Sequence, residues 1–285
     1  MLKTETTTTL VDKIDTEQKK QLSGLKSSLF LFASLAIAHC LHLTIHEFGH
    51  AIAYKIMGYN IEKIFLHPFD VSQVTTVNPM NFEVFGGLAG PLFDLIIATI
   101  LFVSLWKIRR PMLLPLLLLG PFAYVVEGVS VIICVIDYPY LIGDWGDAIH
   151  AGVPIPVVIT IGIIFIIIGL LGMPLVFPLA NISIEEPFIK RLTIKAGGFI
   201  GYYLLSFLFV VIFNKWAIKW RGIALGFSIV LALILSIIYK PLIKIYNRFT
   251  HTKPTEMQWS TIGITLGIAA VIMTIQMLTY YLIPV

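Results

Sequence analysis

Three observations predict an all-α polytopic membrane protein, with about seven transmembrane helices and a small interfacial β-hairpin after the first span. Of the 285 residues, 58% are hydrophobic and only 13% charged, and the mean hydropathy is +0.91. Apolar runs of about eighteen residues or more recur, each long enough as a helix to cross a bilayer's hydrocarbon core. Clusters of Lys and Arg separate most of these runs, as loops beside a membrane require. Those clusters account for the net charge of +4, so no nucleic-acid partner is expected. Cys40 and Cys134 both fall within apolar runs and read as small hydrophobes rather than a disulfide.

Taken in order, residues 1–26 are polar, with a Thr run from Thr6 to Thr9 and with Lys13, Lys19, Lys20 and Lys26. They read as a loosely ordered or surface-lying tail, and a short amphipathic helix over Val11–Leu25 has few apolar positions to support it. The first apolar run starts near Ser27, after this polar stretch, so a retained span is expected rather than a cleavable leader. That span runs to about Met57, and Gly58 is its stop signal. Residues 59–84 mix Ile61, Ile64, Leu66, Val71, Val74 and Val77 with Pro68, Asp70 and Asn78-Pro79. This pattern fits two short strands or a plain surface loop. A hairpin there must lie at the interface or against protein, because open strand edges cannot face lipid, and its free edge could accept an extended peptide.

The second span, about Phe85 to Trp106, opens with Gly86-Gly87-Leu88-Ala89-Gly90-Pro91, small residues that let another backbone come close. Asp94 lies one turn further in and must be paired or face a wet cavity. The third span, about Met112 to Ile136, contains Glu127, which suits either a substrate cavity or a paired structural role. An acidic stretch from Asp137 to Asp147 leads into a short helix ending near Gly152-Val153-Pro154, with Asp144 at its N-cap position. Further spans are expected at about 155–179, 196–213, 222–239 and 260–283. Between them lie Lys190, Arg191 and Lys195, then Lys215, Lys219 and Arg221, then Lys240, Lys244, Arg248 and Lys253. The chain therefore divides into a tail (1–26), a membrane-embedded core (27–180) and C-terminal helices (181–285) that act as scaffold or as a substrate or partner module.

The chemistry concentrates in His46-Glu47-Phe48-Gly49-His50. Residues four apart share a helix face, so His46 and His50 can both offer a ring nitrogen to one metal ion. Glu47 beside them can take a proton from an attacking water. Three polar residues at a helix end are the bland alternative, but ionisable groups inside a membrane are costly and usually functional. His39 and His42 fall on the same stripe, where they can be buried histidines bonded to neighbouring helices or support for the metal site. For a third ligand the sequence offers Asp144, Asp147 and His150.

These residues resemble the site-2-type intramembrane metalloproteases, in particular their small bacterial branch. The resemblance rests on His46-Glu47-Phe48-Gly49-His50-Ala51 with Gly58, on Leu66-His67-Pro68 through Thr75-Thr76, and on Gly90-Pro91 with the Gly143-Asp144-Trp145 stretch before Gly152-Val153-Pro154. It covers about residues 30–160. It implies one zinc ion held by His46, His50 and Asp144, with Glu47 as general base. It also implies cleavage of a peptide bond in a membrane-protein or peptide substrate, within or next to the bilayer of a bacterial cell. Asp94 stands where such proteases often carry Asn, and Asp144 is followed by Trp145 rather than Gly. Two rival readings are a membrane metal transporter or sensor and a catalytically silent relative that acts as a binding module. A transporter needs ligands spread through several spans, and the apolar runs after residue 180 contain no His, Asp or Glu.

Overall fold

A computed structural model describes residues 4–69, 72–78, 84–108, 110–136, 143–213, 218–250 and 257–282. Asp70, Val71, Pro79, Arg109, residues 137–142, Lys215 and Lys253, to which the sequence assigned turn, acidic or basic roles, lie outside them. Eight α-helices and one two-stranded sheet make up the described structure, in agreement with the expected class.

The first helix, α1 (Thr4–Ile56), has 53 residues and is about 80 Å long at the usual helical rise. It takes in the tail that was expected to be loosely ordered or surface-lying, and extends beyond the short helix considered over Val11–Leu25. Residues 4–23 contain neither Gly nor Pro and are rich in Glu, Gln, Lys and Leu, so nothing interrupts the helix. Its segment Gln21–Ile56 is long and apolar enough to span a membrane. The helix ends where Gly58 takes φ +87°, a left-handed conformation that glycine adopts without strain.

Strands β1 (Ile61–Phe65) and β2 (Gln73–Thr76) then pair antiparallel, so the hairpin forms rather than a plain loop. The register joins Ile64 to Val74 and Phe65 to Gln73, with an irregularity at Glu62. Helices α2 (Val84–Leu105) and α3 (Leu114–Ile136) follow, then the short α4 (Asp144–His150) and α5 (Ile155–Val176). The C-terminal part comprises α6 (Phe188–Phe213), α7 (Ile218–Thr250) and α8 (Trp259–Leu282).

Among the described residues, seven segments are long and apolar enough to cross a bilayer, and the chain is a multi-pass membrane protein. Ile163, Ile164, Ile167, Ile168 and Leu171 of α5 are exposed, an apolar face suited to lipid. Helix α1 is the pivot and packs against α2, α3, α6 and α8. Phe30, Leu31, Leu35 and Ala36 of α1 share one core with Phe122 of α3, Phe199 and Tyr202 of α6 and Tyr239 of α7.

The basic cluster at 190–195 does not separate two spans as expected. Helix α6 starts at Phe188 and carries Arg191 and Lys195 inward, and Lys195 is fully buried. Its Nζ lies 4.4 Å from the Tyr239 ring centroid and 5.1 Å from that of Phe177. It also donates to the Leu235 carbonyl at 3.4 Å. Ring faces and a carbonyl together accommodate a cation that has no carboxylate beside it.

Candidate metal centre

The last turns of the first span bring a stripe of histidines past α2 and α3. Small residues allow the approach. A Cβ on Gly49 would stand 2.7 Å from both the Ala89 carbonyl oxygen and Phe93 Cβ on α2. A Cβ on Gly90 would come within 2.3 Å of His50 Nε2 and 2.8 Å of His46 Cδ2. Only a glycine at position 90 leaves room for the two rings.

His46 Nε2 lies 2.8 Å from Asp144 Oδ2, and His50 Nε2 lies 3.1 Å from Asp144 Oδ1. The two Nε2 atoms are 3.2 Å apart. The far side of each ring is held separately. His50 Nδ1 donates to the Gly86 carbonyl at 2.9 Å, and His46 Nδ1 donates to Glu127 Oε1 at 3.1 Å. A carbonyl can only accept, so His50 carries its proton on Nδ1 and turns the Nε2 lone pair inward. The carboxylate of Glu127 imposes the same arrangement on His46. Two lone pairs and an acceptor-only carboxylate thus converge on one point, an arrangement that needs a cation or added protons at its centre. These groups can hold a metal ion.

Asp144 is not the helix cap. Gly143, at φ +94°, occupies that position, its carbonyl accepting from the Asp147 amide at 3.0 Å, and the Asp144 side chain is left to face the histidines. Burial works against ionisation of Asp144, but when no metal ion lies between them and the histidines carry protons on Nε2, the two rings outweigh burial and hold its carboxyl below the usual range. Asp147, one turn on, packs by its Cβ toward Gly87. Burial, reinforced by the charge of Asp144, raises its carboxyl above the ordinary value. His150 is exposed. Neither residue joins the group formed by His46, His50 and Asp144.

A cavity of about 370 Å³ opens beside this group. Glu47, 5% exposed, lines it together with His39, His42, Glu127 and Ser130. Ser72, Gln73 and Val74 bring the start of β2 to its wall. His42 Nδ1 pairs with Asp94 Oδ2 at 2.8 Å, so the buried Asp94 is a paired carboxylate. His39 packs against the rings of Phe122 and Tyr202. His42 thus has the bond to a neighbouring helix expected of a buried histidine, His39 has ring contacts to α3 and α6, and both also reach the cavity.

Glu127 is a paired carboxylate, one of the two roles considered for it, and it also lines the cavity. Its second oxygen accepts from Trp145 Nε1 at 3.1 Å, so one carboxylate links α1, α3 and α4. The sequence marked Glu127 as a costly intramembrane charge but gave no sign of its partners. Nothing in the sequence pointed to the Gly86 carbonyl. No family model matches the chain, and neither a curated protein nor a solved structure resembles it closely enough to count as a match.

Proposed function

We propose that the protein is an intramembrane zinc metalloendopeptidase, similar to site-2 proteases, which hydrolyses a peptide bond within or next to the bilayer. The observation that carries this reading is the convergence of His46 Nε2 and His50 Nε2, 3.2 Å apart, on the Asp144 carboxylate, whose Oδ2 lies 2.8 Å from the first and whose Oδ1 lies 3.1 Å from the second, with Glu47 in the adjoining cavity. Ligands bound tetrahedrally to zinc at about 2.0–2.1 Å stand about 3.3 Å apart, close to the spacing found. Two imidazoles and one carboxylate are a donor set that zinc accepts, and three protein ligands leave a fourth position for water or substrate.

Zinc held there would polarise the scissile carbonyl and acidify the attacking water. Glu47 accepts the proton of that water and delivers it to the leaving amine. Glu127 and the Gly86 carbonyl keep both rings turned toward the centre, and the fixed rings lower the cost of assembling the site. The edge of β2 that no other described strand pairs, beside the cavity, can take an extended peptide as a third strand and lay it across the centre.

The test uses full-length protein in detergent micelles and fluorescein-labelled casein as an unfolded probe. Cleavage should stop with a chelator and return with one equivalent of zinc. Cleavage indifferent to the chelator would reject the reading.

A further inference from the structure

The residues His67, Pro68 and Phe69 after β1 do not lie on the surface. His67 is fully buried and Phe69 is 6% exposed. The turn is closed locally, because the Phe69 amide donates to His67 Nδ1 at 3.1 Å and the His67 amide donates to Ser72 Oγ at 3.0 Å. The rings of His67 and Phe69 stand 5.3 and 5.1 Å from that of Phe209 on α6. Two turns of α6 earlier, Tyr202 donates its hydroxyl to the Pro68 carbonyl at 3.1 Å. A buried carbonyl outside a sheet or helix needs such a donor.

Tyr202 also touches the helix that carries the metal ligands. Its ring lies 5.4 Å from that of His39 and 6.2 Å from that of Phe32, both on α1. A single buried side chain therefore grips the hairpin turn at one end and α1 at the other. Ser72, Gln73 and Val74, which follow the turn, form a wall of the cavity. His46 and His50 are held by different contacts, to Glu127 and Gly86.

We propose that Tyr202 is a positioning residue that sets where β2 stands beside the His46–His50–Asp144 group, and with it how firmly an extended peptide is held there. The inference rests on the proteolytic reading above. It gives α6 a role in substrate retention, beyond scaffold. Backbone bonds from β2 to a peptide form in the ground state and persist in the transition state. Loosening them weakens binding and leaves the chemical step alone.

The experiment compares wild type with Tyr202→Phe, full-length, zinc-loaded and in dodecylmaltoside micelles, with fluorescein-labelled casein as the probe. The variant keeps the ring and loses one hydrogen bond, so KM should rise about fivefold while kcat stays within about twofold. Zinc content should not change, and amide exchange over residues 72–76 should quicken while that of α3 does not. An unchanged KM, or a fall in kcat or zinc content at constant KM, overturns the proposal. If wild-type protein leaves casein intact, the proteolytic reading fails on its own. Exchange over residues 72–76 then decides the placement, with faster exchange in Tyr202→Phe upholding it and equal exchange rejecting it.

Discussion

His46 Nδ1 donates to Glu127 Oε1 at 3.1 Å, joining two residues 81 positions apart in the chain. The bond fixes the tautomer and orientation of a ring whose other nitrogen faces Asp144. Removing such a partner usually costs about 10–100-fold in metal affinity. Glu127→Gln, which can still accept from the ring but lacks the charge, should fall near the lower limit. Glu127→Ala should fall near the upper limit. Competition titrations with a zinc-chelating dye measure both, and wild-type affinity in Glu127→Ala would remove the residue from the site.

Asp144 and Asp147 give a sharper contrast. Only Asp144 lies within hydrogen-bonding reach of both ring nitrogens. Asp144→Ala should lose most metal affinity and all cleavage, while Asp147→Ala should keep one metal ion per chain. Metal analysis after gel filtration distinguishes them, and the opposite order would move the ligand one turn along α4.

Gly90 tests the packing that makes the site possible. Gly90→Ala would put a methyl group 2.3 Å from His50 Nε2. One ring must then move, and metal binding should fall by at least about tenfold even if the helices still assemble. At Gly267 on α8 an added methyl group meets nothing within 4 Å, so Gly267→Ala should bind metal as wild type does. Equal affinities in the two variants would contradict the geometry.

Charge distribution sets the expected topology. With the N-terminus in the cytoplasm, seven spans place Lys107 and Arg110, the start of α6 with Lys190, and Lys240 to Lys253 toward the cytoplasm, while Arg191 and Lys195 are buried within α6. The Lys215–Arg221 cluster falls outside and is the exception. The metal group and α4 then lie near the outer face, and the C-terminus is outside. A reporter fused after Val285 should show an external location, and a cytoplasmic signal would invert or break the scheme.

Much of the site was legible because its defining feature is local. Two histidines four residues apart share a face on any helix, so His46, Glu47 and His50 could be read together before any fold was known. The spans were legible for a similar reason, since length and hydropathy alone decide what crosses a bilayer. Other features depend on approaches that no local pattern encodes. The bonds from His46 to Glu127 and from His50 to Gly86 depend on how α1 meets α3 and α2. Asp144 and Asp147 both suited a ligand by composition, and only the left-handed Gly143 before α4 settles which one turns inward. The N-terminal helix was considered only over Val11–Leu25, because sparse apolar positions gave little support for it, although no proline and only Gly24 stood in its way. Lys195 looked like a loop cation because the rings of Phe177 and Tyr239 that receive it lie far away in sequence.

The central claim is that Glu47 performs a proton transfer at a metal centre which it does not itself build. It is tested most directly by measuring zinc content and casein cleavage on the same preparations of wild type and Glu47→Gln. The account predicts one zinc per chain in both proteins, because His46, His50 and Asp144 are untouched, together with a loss of cleavage of at least about a hundredfold in the variant. Cleavage near the wild-type rate in zinc-loaded Glu47→Gln would contradict it.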